Sequence, residues 1–225
     1  MKNIVNDFGW YFLENDKSIL NNIKFAKDYK RLHPMETRST KQIFTALSYC
    51  KNFRRAIDVG AHYGTSSFHF SNNFKKVEAF EVDPLIRECL EKNVNNFVNK
   101  NVTVYPYGCG ANSKFISLLR NEDSHFTKIN KESNNLTEEN SDSKIIPLDN
   151  YDWKDVDFIK IDVEGFENEV ITGALKLIQR CKPIILFEKN RVNKTPNPQT
   201  ILSDMGYEFA VRFDKDDIII HTNKI

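Results

Sequence analysis

The segment AIDVGAHYGTS, residues 56–66, decides the fold of this chain. An apolar run ends there in a turn that contains Gly60 and Gly64, and a helical pattern follows directly. In an open α/β sheet this arrangement points backbone N–H groups at a ligand beyond the carboxyl end of the strand. Gly60 would allow the sharp turn, and Gly64 would allow a ligand or a strand to approach closely. The spacing, D-x-G-x-x-x-G, differs from the G-x-G-x-x-G of dinucleotide-binding enzymes.

Further short apolar runs follow along the chain, and most of them are separated by stretches long enough for a helix. This alternation predicts an α/β fold with a mainly parallel sheet. Residues 207–213 and 218–222 flank a polar turn and predict a closing antiparallel hairpin. Residues 115–119 and 144–146 predict two extra strands around a polar loop at 120–143. The other strands expected in the parallel sheet are 77–80, 102–105, 158–161 and 184–187.

The first fifty residues have a helical pattern. Apolar positions recur at three- and four-residue steps over residues 17–32, and Pro34 then ends the pattern. A second helix is predicted from about residue 37 to residue 50. We therefore expect a helical N-terminal extension or cap at residues 1–52 and one α/β domain at residues 53–225.

The composition excludes several classes of protein. Lys plus Arg number 32 and Asp plus Glu 31, and this net charge of +1 argues against a strongly basic nucleic-acid-binding protein. No apolar run approaches the ~18 residues of a membrane span, and the N-terminus lacks a signal-peptide pattern, so we expect no membrane partner. The cysteines form no CxxC pair, which favours reduced thiols in a cytoplasmic protein; they are Cys50, Cys89, Cys109 and Cys181.

Acidic residues follow two of the predicted strands. Glu81 ends the second strand, at a position where a carboxylate can accept hydrogen bonds from both hydroxyls of a ribose. Asp162 and Glu164 follow the fourth strand within FIKIDVEGFE, residues 158–167. Because parallel strands end at the same edge of a sheet, these carboxylates should lie beside the glycine loop.

The motifs as a set resemble the FkbM-type family of S-adenosylmethionine-dependent methyltransferases. In chain order they are IDVGAHYG, AFEVDP, IPLDNY, FIKIDVEGFE followed by Gly173, and KPIILFE. The resemblance covers roughly residues 54–190. It implies the class I methyltransferase, Rossmann-like fold, with a mainly parallel seven-stranded sheet, an antiparallel C-terminal hairpin and helices on both faces.

The resemblance also implies roles for individual residues. Asp58, Gly60 and Gly64 would form the methionine side of the cofactor site. Glu81 would hold the ribose, and residues 107–109 would border the adenine. Many methyltransferases hold the adenine amino group with an acid after the third strand, and this chain has none there. Asp162 and Glu164 would face the methyl-transfer site. The expected cofactor-binding residues are Asp58, Gly60, His62, Gly64, Glu81, Val82, Tyr107, Gly108, Cys109 and Asp162.

The expected reaction is O-methylation of a hydroxyl on a sugar, a glycan or a small natural-product-like acceptor. Such a transfer needs an in-line arrangement of the reacting atoms and benefits from a general base. Asp162 has the best location for the base. Glu164, His62 and His125 are further candidates, and His125 lies in the loop at 120–143, from which it could reach over the site.

Several alternatives stay open at this point. A nucleic-acid methyltransferase is disfavoured because residues 162–165 replace the D/N-P-P-aromatic motif of enzymes that methylate exocyclic amines. The glycine spacing disfavours an NAD-dependent oxidoreductase, while a protein methyltransferase and a non-catalytic cofactor-binding module are further alternatives. A Mg²⁺ ion bound by Asp162, Glu188 and Asn190 is conceivable but not favoured, and no Cys/His spacing suggests zinc.

Overall fold

The computed structural model describes residues 3–28, 38–120, 127–130, 136–188, 198–213 and 216–222. The strands, in chain order, are β1 (Ile4–Asp7), β2 (Trp10–Leu13), β3 (Arg55–Val59), β4 (Lys76–Phe80), β5 (Val102–Tyr105), β6 (Tyr107–Cys109), β7 (Lys114–Ile116), β8 (Leu118–Arg120), β9 (Thr127–Ile129), β10 (Ser143–Ile146), β11 (Val156–Ile161), β12 (Ile184–Glu188), β13 (Tyr207–Arg212) and β14 (Asp216–His221). The helices are α1 (Lys17–Asp28), α2 (Arg38–Leu47), α3 (Thr65–Ser71), α4 (Pro84–Asn96), α5 (Glu167–Thr172), α6 (Leu175–Cys181) and α7 (Pro198–Asp204). A short 3₁₀ helix, Leu148–Asn150, precedes β11.

The main sheet has seven strands in the order β13-β14-β12-β11-β3-β4-β5. The five strands from β12 to β5 are parallel, and β13 and β14 form an antiparallel hairpin beside β12. The mainly parallel sheet with a closing hairpin is therefore confirmed, and each of its strands includes most of the residues that the apolar runs predicted.

The central strands β3 and β11 are buried along their whole length. Because successive side chains of a strand point to opposite faces, paired residues line up into two separate layers. Ile57, Ile159 and Ile185 pair across three strands and belong to the core on one face. The core on the other face contains Ala56, Phe158 and Ile184. Apolar packing on both faces explains why these strands are continuous apolar runs.

The register of the parallel strands brings their carboxyl ends to one edge. Val59 of β3 pairs with Phe80 of β4 and with Ile161 of β11, which in turn pairs with Phe187 of β12. The residues that come next, Gly60, Glu81, Asp162 and Glu188, therefore meet at this edge of the sheet.

The prediction that the N-terminal extension is helical throughout was wrong for its first part. Residues 4–13 form an antiparallel hairpin, β1–β2, and the helices α1 and α2 follow it. The turn contains Phe8 and Gly9, both at positive φ, which is the conformation of a tight hairpin turn. Residues 29–32 of the first predicted helix lie outside the described residues.

The N-terminal elements share cores with the α/β unit. Phe12 of β2 and Ile23 of α1 are buried together with Tyr63 of the glycine loop. Ile43 of α2 is buried with Phe70 of α3 in the core on the second face of the sheet. The division of the chain at residue 52 stays a prediction.

Between β5 and β11 the described residues form five strands, where the sequence predicted two. Residues 115–119 were predicted as one strand but are divided between β7 and β8, and residues 144–146 lie in β10 as predicted. β10 pairs with β7 and also, in parallel, with β6, which the sequence did not predict. β8 pairs with β9, a strand inside the segment that we expected to be a polar loop. His125 and the rest of residues 121–126 lie outside the described residues. Among the helices that the structure describes, none is long and apolar enough to cross a membrane.

Candidate active site

Gly60 is required where the chain leaves β3. Its φ is +77°, and a Cβ built on it would lie 1.9 Å from the carbonyl oxygen of Asp162. The N–H groups of Gly60 and Ala61 both donate to the carbonyl oxygen of Phe80. The glycine turn therefore packs directly against the segment that carries the expected methyl-transfer residue.

Gly64 ends the loop and precedes α3. Its φ is +91°, and a Cβ there would lie 2.7 Å from Cδ1 of Leu90 on α4. The sequence predicted a close approach at this position by a ligand or a strand. The neighbour that the structure places there is instead the side chain of Leu90 on α4.

Glu81 connects the end of β4 to the glycine loop. Its side chain is buried, and it accepts hydrogen bonds from the backbone N–H of His62 at 2.9 Å and of Asp83 at 2.9 Å. Burial raises the pKa of Glu81 to about 7, although both N–H donors favour the charged form. A carboxylate has about four lone-pair sites, so these two hydrogen bonds do not use its full capacity as an acceptor.

The residues expected to border the adenine follow on β6. A Cβ on Gly108 would lie 3.2 Å from Cγ2 of Val82, so β6 lies against the residue after Glu81. Cys109 points into the main core, and burial raises the pKa of its thiol. Tyr107 is half-buried at the start of the strand. The adenine assignment of these residues stays a prediction.

Asp58 is completely buried beneath the loop. Its Oδ2 accepts a hydrogen bond from Oγ of Ser67 at 2.7 Å, and its Oδ1 lies 3.3 Å from Nζ of Lys160. The side chain therefore supports the loop from inside the protein and offers no surface to a ligand in this conformation.

Lys160 is a residue of this site that sequence reasoning missed. It lies near the carboxyl end of β11, buried, and its Nζ also approaches Oδ2 of Asp162 at 3.4 Å. Burial disfavours the charged form, but the charges of Asp58 and Asp162 outweigh that effect and raise the pKa of Lys160. The available signal was a lysine inside FIKI, a strand that is otherwise apolar and buried on both faces.

Three carboxylates lie together at the carboxyl edge of the sheet. Oxygen atoms of Asp162, Glu164 and Glu188 lie within 4.8 Å of one another. Glu164 has a φ of +52°, and Gly165 follows it at +96°, so a tight turn presents the Glu164 side chain beside Asp162. Burial, together with the charges of Asp162, Glu164 and other acids, raises the pKa of Glu188 to about 8. The oxygen donors would also suit a Mg²⁺ ion, which remains the less favoured interpretation of this cluster.

A cleft opens beside these carboxylates. Its polar lining comes from three strands of the sheet and from helices α2 and α3: Gln42, Ser66, Lys160, Asp162, Glu188 and Asp216. Because Gln42 belongs to α2, the N-terminal extension contributes to the cleft.

His62 takes part in the site through its backbone. Its φ is +53°, its N–H donates to Glu81, and its ring lies 3.9 Å from the ring of Tyr63. His125, the other histidine considered as a base, lies outside the described residues, as does Asn190.

The sheet order, the glycine turn after β3 and the acids at the ends of β4 and β11 define a methyltransferase of the class I, Rossmann-like fold. Residues 58–209 match the model of the methyltransferase FkbM domain, and the chain belongs to that family. A search of curated proteins gave no match.

Solved structures support the fold. The methyltransferase FkbM from Methylobacillus flagellatus KT is 20% identical, with a TM-score of 0.56; the match covers 74% of this chain but 43% of that one. This chain therefore spans less than half the length of that protein. A Streptococcus mutans protein solved in complex with SAH (S-adenosylhomocysteine) is 11% identical, with a TM-score of 0.53. The match covers 82% of this chain and 98% of that protein. Precorrin-6y C5,15-methyltransferase from Geobacter metallireducens GS-15 is 17% identical, with a TM-score of 0.51 over 80% and 87% of the two chains.

Proposed function

We propose that this methyltransferase uses S-adenosylmethionine and methylates a hydroxyl oxygen on a sugar, a glycan or a small natural-product-like acceptor. The observation that carries the proposal is the buried carboxylate of Glu81, which is held against the glycine loop by the N–H of His62 at 2.9 Å. This arrangement suits a nucleoside whose ribose lies on Glu81 and whose amino-acid portion lies along residues 60–64. The complex of the S. mutans protein with SAH supports a cofactor of this kind.

The residues around Glu81 fit the proposed cofactor. Glu81 would accept from the ribose with its remaining lone-pair capacity, and Val82 and Gly108 would border the base beyond it. S-adenosylmethionine supplies a methyl group on a sulfonium centre. The task of the protein is then to orient the acceptor oxygen in line with that methyl group and to exclude water from the site.

The acidic cleft is the proposed position of the acceptor. Asp162 is partly exposed there, since 44% of its side-chain surface is accessible, and Lys160 holds it on the buried side. Its carboxylate can accept a hydrogen bond from an acceptor hydroxyl. Glu188 and Glu164 are near enough to receive the hydroxyl proton, and the raised pKa of Glu188 brings its proton affinity close to neutrality, as general-base catalysis requires.

The same carboxylates favour an uncharged acceptor. The charged carboxylates of Asp162 and Glu164 would repel the phosphates of a nucleic acid, and the net charge of +1 provides no compensating excess of positive charge. We also propose that the protein works in the reducing cytoplasm, because its cysteines form no CxxC pair and are widely spaced in the sequence.

Calorimetric titration tests the proposed cofactor. S-adenosylmethionine and SAH should bind with micromolar dissociation constants and NAD should not bind. Glu81→Ala should abolish SAH binding, whereas Glu91→Ala, an exposed glutamate on α4, should leave it unchanged. Tight NAD binding, or undiminished SAH binding by Glu81→Ala, would contradict the proposal.

A second experiment addresses the acceptor. Methyl transfer from labelled S-adenosylmethionine should be detected with oligosaccharides or small alcohols. Transfer to nucleic acid or protein alone would replace the proposed acceptor with one of those classes.

A further inference from the structure

Lys160 occupies a position that is unfavourable for a charge. It is 8% exposed and lies in β11, between β3 and β12 in the centre of the sheet. Moving an ammonium group out of water costs several kcal/mol unless other groups compensate it. The groups that Lys160 contacts therefore indicate which parts of the site its buried charge stabilises.

The ammonium group contacts three separate segments. Nζ donates to the carbonyl oxygen of Gly60 at 3.1 Å and lies 3.3 Å from Oδ1 of Asp58 and 3.4 Å from Oδ2 of Asp162. One contact is a hydrogen bond to a backbone carbonyl, and the other two are ion pairs with carboxylates. Lys160 thus joins β3, the glycine turn and the segment that follows β11.

The contacts hold the glycine loop at both ends. Lys160 contacts its first residue, Gly60, directly. Asp58, which Lys160 neutralises, accepts a hydrogen bond from Ser67 on α3, the helix that begins immediately after the loop. The same ammonium group also contacts Asp162, which lines the cleft.

We propose that Lys160 is a positioning residue, which sets the separation between the loop at 60–64 and the carboxylate of Asp162. The inference rests on the proposed function, because it takes the loop as the cofactor-binding segment and Asp162 as a residue of the methyl-transfer site. One buried ammonium group then fixes the place of a ligand on the loop relative to the group that meets the acceptor. A hydrophobic residue in β11 would fill the same space without making that connection.

The test compares SAH affinity with stability. In Lys160→Met, which keeps much of the side-chain volume, the carbonyl of Gly60 and the carboxylate of Asp162 lose their common partner. We expect SAH to bind at least about tenfold more weakly in calorimetric titrations, from the loss of one charge-assisted network. Wild-type affinity in this variant would overturn the proposal.

Val156→Ala is the matched control. Val156 is fully buried at the other end of the same strand, about 13 Å from Lys160 at the usual rise per residue. This variant should lower the melting temperature but bind SAH within about twofold of the wild type, because the substitution lies far from the loop. An equal loss of affinity in both variants would show that Lys160 has a merely structural role.

Lys160→Met leaves Asp58 buried without a cation, which can prevent folding. Asp58→Asn and the double variant Asp58→Asn/Lys160→Met avoid that charge, and the introduced amide can still accept a hydrogen bond from Ser67. The tenfold loss should then appear between these two variants, and equal SAH affinities would overturn the proposal. If the wild-type protein fails to bind SAH, the proposed function is wrong; if the wild type binds and all these variants bind equally well, the role of Lys160 alone is wrong.

Discussion

The backbone N–H of His62 donates to Oε2 of Glu81 at 2.9 Å. This hydrogen bond joins the glycine loop after β3 to the acid at the end of β4. Oε1 of the same carboxylate accepts from the N–H of Asp83, so the carboxylate is fixed between two backbone segments. A ligand that bonds to Glu81 therefore meets a preorganised acceptor and costs little side-chain entropy.

The first prediction is that SAH affinity depends on the ionisation of Glu81. The pKa of this carboxyl is raised to about 7 because it is buried, and ribose hydroxyls should bind its charged form. Binding below pH 7 must then displace a proton, so the dissociation constant should rise about tenfold between pH 8 and pH 6. In Glu81→Gln this pH dependence should disappear. Calorimetry at four pH values measures the pH dependence of SAH affinity in both proteins. The same pH dependence in the two would refute the assignment of Glu81 to the ribose.

The second prediction concerns Gly60, whose missing side chain allows the segment after β11 to approach. Gly60→Ala should destabilise the protein by about 3 to 5 kcal/mol, because a Cβ would meet the Asp162 carbonyl oxygen at 1.9 Å in addition to the backbone strain. Gly9 has the same φ of +77°, and a Cβ placed on it would have no neighbouring atom within 4 Å. Gly9→Ala should therefore cost about 1 to 2 kcal/mol, from the strain alone. Urea unfolding would show the difference, and equal losses would mean that the close contact is unimportant.

The main sheet could be predicted because each of its strands is a short apolar run that is recognisable in the sequence by itself. The run at 158–161 is apolar apart from Lys160, since β11 packs against a core on each face. The glycine turn and Glu81 could be placed because parallel strands end at a common edge, so a position in the sequence fixed a position in space. Asp162 followed from the same rule.

Features that depend on distant parts of the chain could not be predicted. Lys160 becomes part of the site because Asp58 and Gly60 lie on the neighbouring strand and its turn, about a hundred residues earlier in the sequence. The N-terminal hairpin was missed because residues 10–13 contain consecutive apolar residues, which fit a helix and a strand equally well. These residues are a strand because they pair with β1, and they also contact α4; sequence periodicity shows neither interaction.

The third prediction concerns the attachment of that hairpin to the glycine loop. Asn93 of α4 is fully buried; its Oδ1 accepts from the N–H of Tyr11 at 2.7 Å, and its Nδ2 donates to the carbonyl oxygens of Tyr11 and Tyr63 at 2.9 Å each. Asn93→Leu leaves three backbone groups, which are buried or partly buried, without these partners, so we expect a loss of about 3 kcal/mol. Asn95→Leu, on the exposed side of the same helix, should change stability by less than about 0.5 kcal/mol. Chemical denaturation measures the stability of both variants. Similar stabilities would contradict the role of Asn93 in attaching the hairpin.

The fourth prediction concerns the start of α6. The residue before this helix is Ala174, which cannot cap it, and Asp149 accepts instead from the N–H groups of Lys176 at 3.1 Å and Leu177 at 2.8 Å. Asp149→Ala should lower the free energy of unfolding by about 1 to 2 kcal/mol. Asp152→Ala, at a carboxylate that is 79% exposed, serves as the control and should have little effect. A loss in the control as large as that in Asp149→Ala would rule out the capping role.

The fifth prediction concerns the pH dependence of stability at the acidic cleft. The pKa of Glu188 is raised to about 8 by burial and by the charges of Asp162, Glu164 and other acids, so the folded protein keeps a proton there that the unfolded chain releases near pH 4.5. Stability from this group is fully present below pH 4.5 and is lost as the pH rises to about 8.

Glu188→Gln cannot ionise and should escape that loss. The stability of this variant relative to the wild type should rise between pH 4.5 and pH 8 and stay constant above that. The total rise should be about 1 to 2 kcal/mol, because solvent screens the charge of this half-buried group. Thermal unfolding at about pH 4.5, 6, 7 and 8.5 brackets the transition and measures the difference. A difference that stays constant over this range would show that Glu188 titrates normally, and it would then be a poor candidate for the base that receives the proton of the acceptor.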